Sequence, residues 1–442
     1  MTLPNGAKYL IDIIENNGFE AFAVGGFVRD SIMNKPCDDV DITTSAKPDE
    51  IEKILEDNSV KYIETGLKHG TITAVIDNES FEITTYRVDG SYVDNRHPDD
   101  VMFVTNIKDD LSRRDFTINA MAYNERVGIV DEFGGKSDIE SKLIRAVGDA
   151  DVRFKEDALR IMRAIRFASV LGFDIEEKTK KAIFDNKELL ANVSYERIYN
   201  ELSKLLLGDN VFDILVEYKD VIGIILPELK PIFNVPQNTR WHIYDVWTHT
   251  AKSVSVAPKD LALRYTMLLH DIGKAFTKTT DNNGTDHFKG HQAVSAEYAH
   301  SALKRLKAPN EIYNRVMAVV PIHDMHIGIE RKNVKKWLSR LGENTLRDLV
   351  AVKRADKLAQ NPEMTIDELE RLDVTEKVLN DIIKNGEPFS VKDLAVNGND
   401  IASLGYKGRK IGEVLNLLLD KVISNELKNE KAVLLNSISK KD

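Results

Sequence analysis

The sequence predicts an α+β protein in which a mixed head occupies about the first 140 residues and the remainder is all-α. Three observations predict it. The short runs FAVGG, DVDITT, GTITAVI, SFEITTYRV and GIVDEF all lie before residue 135. Runs of that length, rich in β-branched and aromatic residues, read as strands. From Phe154 onward apolar residues recur at helical spacing in ALRIMRAIRFASVL, TKKAIFDNKELLANV and ERIYNELSKLLL. A histidine-rich block over 236–360 is helical in pattern as well.

In chain order, a helix with apolar positions at Leu10, Ile11 and Ile14 opens the head, and FAVGG follows as its first strand. The head is expected over 1–140, a helical neck over 141–235, the histidine-rich domain over 236–365 and a helical tail over 366–442. In the tail the loop GEPFSVKDLAVNGND precedes a last helix starting near Gly408.

Composition narrows the class. A chain of 442 residues with 42% hydrophobic and 30% charged residues has ample material for buried cores. Its one cysteine, Cys37, excludes an intramolecular disulfide and a multi-cysteine zinc site, and fits the cytoplasm. The first residues lack the apolar core of a signal peptide. The longest aliphatic run, Val221 to Leu226, is far short of the ~20 residues that cross a bilayer, so no membrane partner is expected. The net charge of −10 does not suit a uniformly basic nucleic-acid binder. Local charge is what a nucleic acid meets. Residues 331–357 carry nine Lys/Arg against three Asp/Glu, and 401–442 carry eight against five.

The first chemical constellation is GGFVRD, Gly25 to Asp30, followed by CDDVDI, Cys37 to Ile42. Glycines after an apolar strand, here Gly25 and Gly26, let backbone approach a phosphate. On a strand, side chains two apart share a face, so Asp39 and Asp41 are expected to point the same way. Such a pair can hold two Mg²⁺ ions ~3.5–4 Å apart, an arrangement that activates a 3′-hydroxyl and stabilises leaving pyrophosphate. Glu82 in FEITTY is a third carboxylate.

These stretches, with GLKHGTIT, FEITTYR, DLSRRDFTINAM, RFKEDALRIMRAIRF and SYERI, resemble the class II CCA-adding enzymes and bacterial poly(A) polymerases. The resemblance implies a polymerase β-like nucleotidyltransferase head that adds the CCA 3′ end of tRNA from CTP and ATP without a template. It implies tRNA contacts from the neck and the tail. Arg113-Arg114-Asp115 resembles the triphosphate-contacting motif, with Arg114 the favoured contact, and Arg29 and Lys68 are further phosphate candidates. Arg163 and Arg166 complete the implied nucleotide-binding set. Asp157 and Arg160 resemble the base-reading pair, and three-residue spacing would put them on one face of a helix. A carboxylate and a guanidinium suit C and A, each of which offers an amino donor beside a ring-nitrogen acceptor. U and G reverse that pattern. The polar stretch from Arg87 to Pro98 reads as a mobile loop and resembles the flexible loop of members that add the terminal A.

The second constellation is His249, His270-Asp271 in LLHDIGK, His291, His323 and Asp356. Imidazoles and carboxylates from separate helices are a usual way to build a catalytic metal site. The order resembles the HD phosphohydrolases and implies a second divalent metal acting on phosphoesters. Ala275 stands where many relatives have proline. Competing readings are a poly(A) polymerase, an enzyme adding only A or only CC, an HD phosphohydrolase with a vestigial head, and a non-catalytic RNA-binding module. The mildly basic tail favours the tRNA enzyme.

Overall fold

The computed structural model describes residues 1–37, 39–67, 70–89 and 101–438. Lys68 and most of the loop expected up to Pro98 lie outside the described residues. The chain divides into two compact units, Met1–Pro227 and Glu228–Asp442.

The first unit opens on α1 (Asn5–Asn16), which buries Leu10, Ile11 and Ile14 as their spacing requires. Nine strands follow: β1 (Ala21–Val24), β2 (Asp41–Thr44), β3 (Lys61–Gly66), β4 (Thr71–Ile76), β5 (Glu79–Thr85), β6 (Arg87–Asp89), β7 (Val101–Phe103), β8 (Ala122–Asn124) and β9 (Gly128–Val130). Seven of them form one mixed sheet in the order β3-β4-β5-β2-β1-β8-β9. β2 and β5 run parallel, with Ile42 opposite Ile83. That register sets Asp41 beside Glu82, each one residue before the paired isoleucines. β6 and β7 pair as a separate ribbon. β2 begins only at Asp41, so Asp39 precedes the strand and is not oriented by its alternation.

Around the sheet lie α2 (Gly26–Ile32), α3 (Pro48–Asp57), α4 (Ile107–Ser112) and α5 (Gly135–Glu140). Beyond it the described residues of this unit are helical apart from the two-residue strands β10 (Leu143–Ile144) and β11 (Asp174–Ile175). α6 (Ala150–Glu156) and α7 (Leu159–Leu171) are separate helices. Asp157 between them is extended, at φ −136 and ψ 103. The single helix expected through Asp157 and Arg160 is therefore broken. The Asp157 carboxylate accepts the Leu159 N–H at 3.1 Å and starts a new helix there. α8 (Glu177–Asn186), α9 (Tyr195–Leu206), α10 (Val211–Glu217) and α11 (Lys219–Ile225) complete the unit, with α7 packed on α9.

The second unit contains α12 (Val246–Val256), α13 (Leu261–Leu269), the short α14 (Lys274–Thr277), a hairpin of β12 (Thr279–Thr280) and β13 (Asp286–His287), α15 (His291–Arg305), α16 (Asn310–Val319), α17 (Arg331–Leu341), α18 (Glu343–Leu358) and α19 (Pro362–Lys384). Asp245 and Asp260 cap α12 and α13 by accepting the N–H groups of Thr248 and Leu263. The tail helices α20 (Gly398–Ala402), α21 (Arg409–Ile423) and α22 (Lys431–Asn436) share a core that includes Leu394, Ile401, Leu418 and Leu434. Among the described residues no helix is long and apolar enough to cross a membrane.

Candidate functional site

Two groups of side chains have the make-up of reactive sites, one in each unit. In the first, Asp41 stays solvent-accessible at the start of β2. Burial by the surrounding protein raises its pKa, the Asp39 and Glu82 carboxylates raise it further, and Arg114 opposes them. Three like charges and one guanidinium thus converge there. Gly25 sits at φ +70, a conformation that side chains rarely adopt, and a Cβ there would lie 3.1 Å from Arg114 Nη1. The glycine makes room for the arginine, and the arginine faces the carboxylates.

Arg113-Arg114-Asp115 sends three neighbouring side chains to three different partners. Arg113 forks onto the buried Asp110 at 2.8 and 3.0 Å. Arg114 lies 3.5 Å from the same carboxylate on its way to Asp41. Asp115 accepts from Arg163 at 2.7 Å and from Asn119 at 3.2 Å. Asn119 in turn accepts from Arg29 at 2.6 Å. Arg29, Arg163 and Arg166 all approach the ring of Phe167, at 5.2, 5.4 and 3.7 Å. Gly26 is adjacent, with Arg29 Nη2 3.7 Å from where its Cβ would be. The structure therefore gathers the expected nucleotide-binding residues Gly25, Gly26, Arg29, Arg114, Arg163 and Arg166 around one motif.

Asp157 and Arg160 do not pair with each other. Asp157 is held by Arg197. Arg160 donates to Glu156 at 2.6 Å and to the carbonyls of Arg153 and Arg113 at 3.2 and 2.9 Å. Sequence reasoning singled out neither clamping residue. Arg197 lies forty positions from Asp157, and no local pattern links them.

Burial opposes the Asp115 charge, but Arg163 and the Asn119 hydrogen bond outweigh it and lower the pKa to about 2. We expect Asp115→Ala to cost about 3 kcal/mol, the scale for opening a largely buried pair from one side, read as a lower urea midpoint. A depressed acid contributes stability above its unfolded value and loses it as pH falls. Wild type and variant should accordingly converge as pH drops from 3.8 through about 2.

In the second unit His249, His270, Asp271, His291, His323 and Asp356 come together from α12, the α13 end, α15, the α16 end and α18. Each histidine Nδ1 meets a backbone carbonyl: His249 that of Ala359 at 3.3 Å, His270 that of Met267 at 2.7 Å, His291 that of Phe288 at 2.8 Å and His323 that of Val320 at 2.7 Å. A carbonyl only accepts, so Nδ1 carries the hydrogen and Nε2 of each neutral ring is a lone pair. Those lone pairs converge on carboxylates. Asp271 Oδ2 is 3.4 and 3.2 Å from Nε2 of His249 and His270. Its Oδ1 is 3.4 and 3.8 Å from Nε2 of His291 and His323. Asp356 Oδ1 lies 3.1 Å from His249 and 3.8 Å from His270.

His291 and His323 face each other Nε2 to Nε2 at 3.1 Å, which repels unless a proton or cation lies between them. His270 Nε2 and Asp271 Oδ2, though close, are not aligned as a hydrogen bond, so His270 Nε2 is buried without one. A buried acceptor left in this way fits a divalent-metal ligand. Burial disfavours the His270 imidazolium, yet with no cation between them Asp271 and Asp356 outweigh it and raise that pKa to about 9, so a bound cation would take the place of the Nε2 proton. Burial, with His270 adding to it, lowers His323 to about 3.

Gly273 of LLHDIGK permits this gathering: a Cβ there would stand 2.1 Å from the His291 carbonyl oxygen. Lys274, in the same motif but not among the expected ligands, bonds Asp271 Oδ2 at 2.6 Å. A cavity of about 630 Å³ opens beside the cluster, lined in part by Trp241, His242, Lys274, Phe288, Lys289 and Lys357.

The family model described as Poly A polymerase head domain matches residues 21–145, one described as "Probable RNA and SrmB- binding site of polymerase A" matches 172–233, and a tRNA nucleotidyltransferase domain 2 model matches 291–438. The chain is similar to a CCA-adding enzyme of Pediococcus pentosaceus, 34% identical over 98% of this chain and 97% of that one. A CCA-adding enzyme of Geobacillus thermodenitrificans is 51% identical over 45% of this chain and 48% of that one. Among solved structures, the CCA-adding enzyme of Bacillus stearothermophilus in complex with CTP superposes with a TM-score of 0.72, at 27% identity, covering 99% of this chain and 97% of that chain.

Proposed function

The chain belongs to the CCA-adding enzymes, and from that premise we propose that it adds and repairs the 3′-terminal CCA of tRNA, taking CTP and ATP in turn without a template. One observation carries the proposal: Asp39, Asp41 and Glu82 converge opposite Arg114, which Gly25 admits to the site. The three carboxylates suit Mg²⁺, since hard oxygen ligands at mutually repelling positions are what such a cation relieves. When bound, Mg²⁺ would polarise the reacting phosphate and activate the tRNA 3′-hydroxyl. Arg114 then faces the triphosphate and offsets its charge. Arg29, Arg163 and Arg166 are the remaining guanidiniums of the nucleotide pocket. Asp157 and Arg160 read the base by accepting from the amino group of C or A and donating to the adjacent ring nitrogen.

We read the head as 1–140, the neck as 141–235, the second metal domain as 236–365 and the tail as 366–442, with neck and tail gripping the tRNA. Work on tRNA suits the cytoplasm, which we propose as its location. Incubation with tRNAs lacking CCA, CA or only A, supplied with CTP and ATP, tests the proposal by product length. Full restoration of all three substrates is expected. Products stopping after CC, a single A or long A tracts would instead identify a CC-adding enzyme, an A-adding enzyme or a poly(A) polymerase. Asp157→Ala should in addition lower the preference for CTP and ATP over UTP and GTP by roughly ten- to a hundredfold in relative kcat/KM, the scale of a lost bidentate base contact.

The second unit supports a second activity. Four histidine lone pairs and two carboxylates fit an HD-type centre. Asp271 divides its oxygens between the pair His249–His270 and the pair His291–His323, which suits two divalent cations sharing that carboxylate. Cations there would supply an activated water for phosphoester hydrolysis. Lys274, Lys289 and Lys357 line the adjacent cavity and offer charge for a phosphate. A 2′,3′-cyclic phosphate on a damaged RNA end is the substrate class we favour.

A further inference from the structure

We propose that Arg197 is a positioning residue for base selection, holding the Asp157 carboxylate in the one orientation that accepts from an incoming base. The proposal rests on Asp157 being a base reader. Arg197 is the third residue of α9 and belongs to the stretch SYERI. Its guanidinium meets Asp157 as a fork, with Nη1 to Oδ1 at 3.2 Å and Nη2 to Oδ2 at 2.8 Å. The need for such a clamp follows from the backbone. Asp157 lies outside both helices, in extended conformation at the joint between α6 and α7, so no helical turn restricts its side chain.

The hydrogen bonds leave a specific acceptor open. An ionised carboxylate has about four lone-pair directions. On Oδ1, Leu159 N–H and Arg197 Nη1 take two. On Oδ2, Arg197 Nη2 takes one. The direction left on Oδ2 is suited to an exocyclic amino group, which C and A present and U and G do not. A rotated carboxylate could accept from other directions and would discriminate less. The guanidinium of Arg160 is buried and is itself steadied by Glu156. Each base-reading group is thus oriented by a neighbour of opposite charge. Planarity matters on the Arg197 side, because a lysine can engage only as a point charge.

The test uses the full chain, a tRNA lacking its CCA end and each nucleotide separately. Arg197→Met should lower the CTP-over-UTP ratio of kcat/KM by about tenfold, part of the loss expected for Asp157→Ala. It should do so mainly through a raised KM for CTP with kcat changed less than threefold. Arg197→Lys should restore part of the ratio. The ratio between two nucleotides does not depend on how much enzyme is folded, so a purely structural role would leave it unmoved. Should Arg197→Met not fold, Arg197→Lys carries the test, with about a threefold loss of the ratio expected. A wild-type ratio in the Arg197 variants, with selectivity lost in Asp157→Ala, overturns the positioning role and leaves base reading intact. A wild-type ratio in Asp157→Ala overturns base reading, and this inference with it.

Discussion

Replacing Asp41 with alanine will reduce nucleotide addition to about a hundredth of the wild-type rate or less, with no loss of thermal stability. Metal-assisted phosphoryl chemistry draws several kcal/mol from its ions, and a hundredfold is only about 2.7 kcal/mol. Asp41 stands at the strand start where its charge meets Asp39, Glu82 and Arg114, so its loss removes a central ligand. The stability side follows from the sign of its pKa shift. Burial and Asp39 raise the Asp41 pKa, so the folded state disfavours its charge. A raised acid contributes stability at low pH and loses it as pH rises through the folded value. At neutral pH the carboxylate therefore costs stability, and Asp41→Asn should melt at or above wild type while being equally inactive. Asp39→Ala should be inactive as well. Wild-type-like addition by either alanine variant would take that residue out of the mechanism.

Asp271→Ala will empty the second centre and abolish phosphoester hydrolysis while sparing nucleotide addition. Partners that merely orient a ligand are worth about 10–100-fold in metal affinity. A carboxylate that faces all four histidines should be worth more than about a hundredfold. Elemental analysis after dialysis against Mn²⁺ should find at least one ion more per wild-type chain than per variant chain, since the head carboxylates are the same in both. The substitution also strands Lys274, which is 5% exposed and paired to Asp271. His291→Ala keeps that ion pair and provides a second reading, with loss of metal and hydrolysis expected again. Asp41→Ala should hydrolyse phosphoesters as wild type does. The domain is structural if protein exposed to Mn²⁺, Ni²⁺ or Co²⁺ retains no ion and cleaves neither phosphomonoesters nor cyclic phosphodiesters.

The legible parts of this molecule are those in which chemistry and periodicity coincide in a short stretch. GGFVRD was legible as a turn because glycines and an arginine follow one apolar strand, whereas the shared strand face expected of Asp39 and Asp41 was not, because β2 begins only at Asp41. The grouping of four histidines and two aspartates was legible because histidine is rare and LLHDIGK is distinctive. Three of the four imidazoles are oriented by one local device: His270, His291 and His323 each bond the carbonyl three residues earlier. Other features left no local trace. β3, KYIETG, is an edge strand without a buried face, so it lacks the alternation that marks β5. The break at Asp157 was hidden because RFKEDALRIMRAIRF keeps helical spacing on both sides and contains neither glycine nor proline. Arg197 and Lys274 act through ion pairs, and pairing between distant charges has no periodic signature.

The tripeptide Arg113-Arg114-Asp115 also acts as a ruler. Its backbone is pinned, with the Arg114 N–H bonded to Leu111 and the Asp115 carbonyl to the Val147 N–H. From that fixed stretch the Arg113 carbonyl reaches Arg160, the Arg114 side chain reaches Gly25 and the Asp115 side chain reaches Arg163. The span from the proposed base readers to the proposed catalytic carboxylates is therefore measured in consecutive residues of one chain. A pocket of fixed span accepts only a nucleotide whose base and phosphates fit both ends together. On the proposed function, the spacing that a complementary strand sets in a templated polymerase is written here into three adjacent residues, and inserting one residue among them would put every contact out of step.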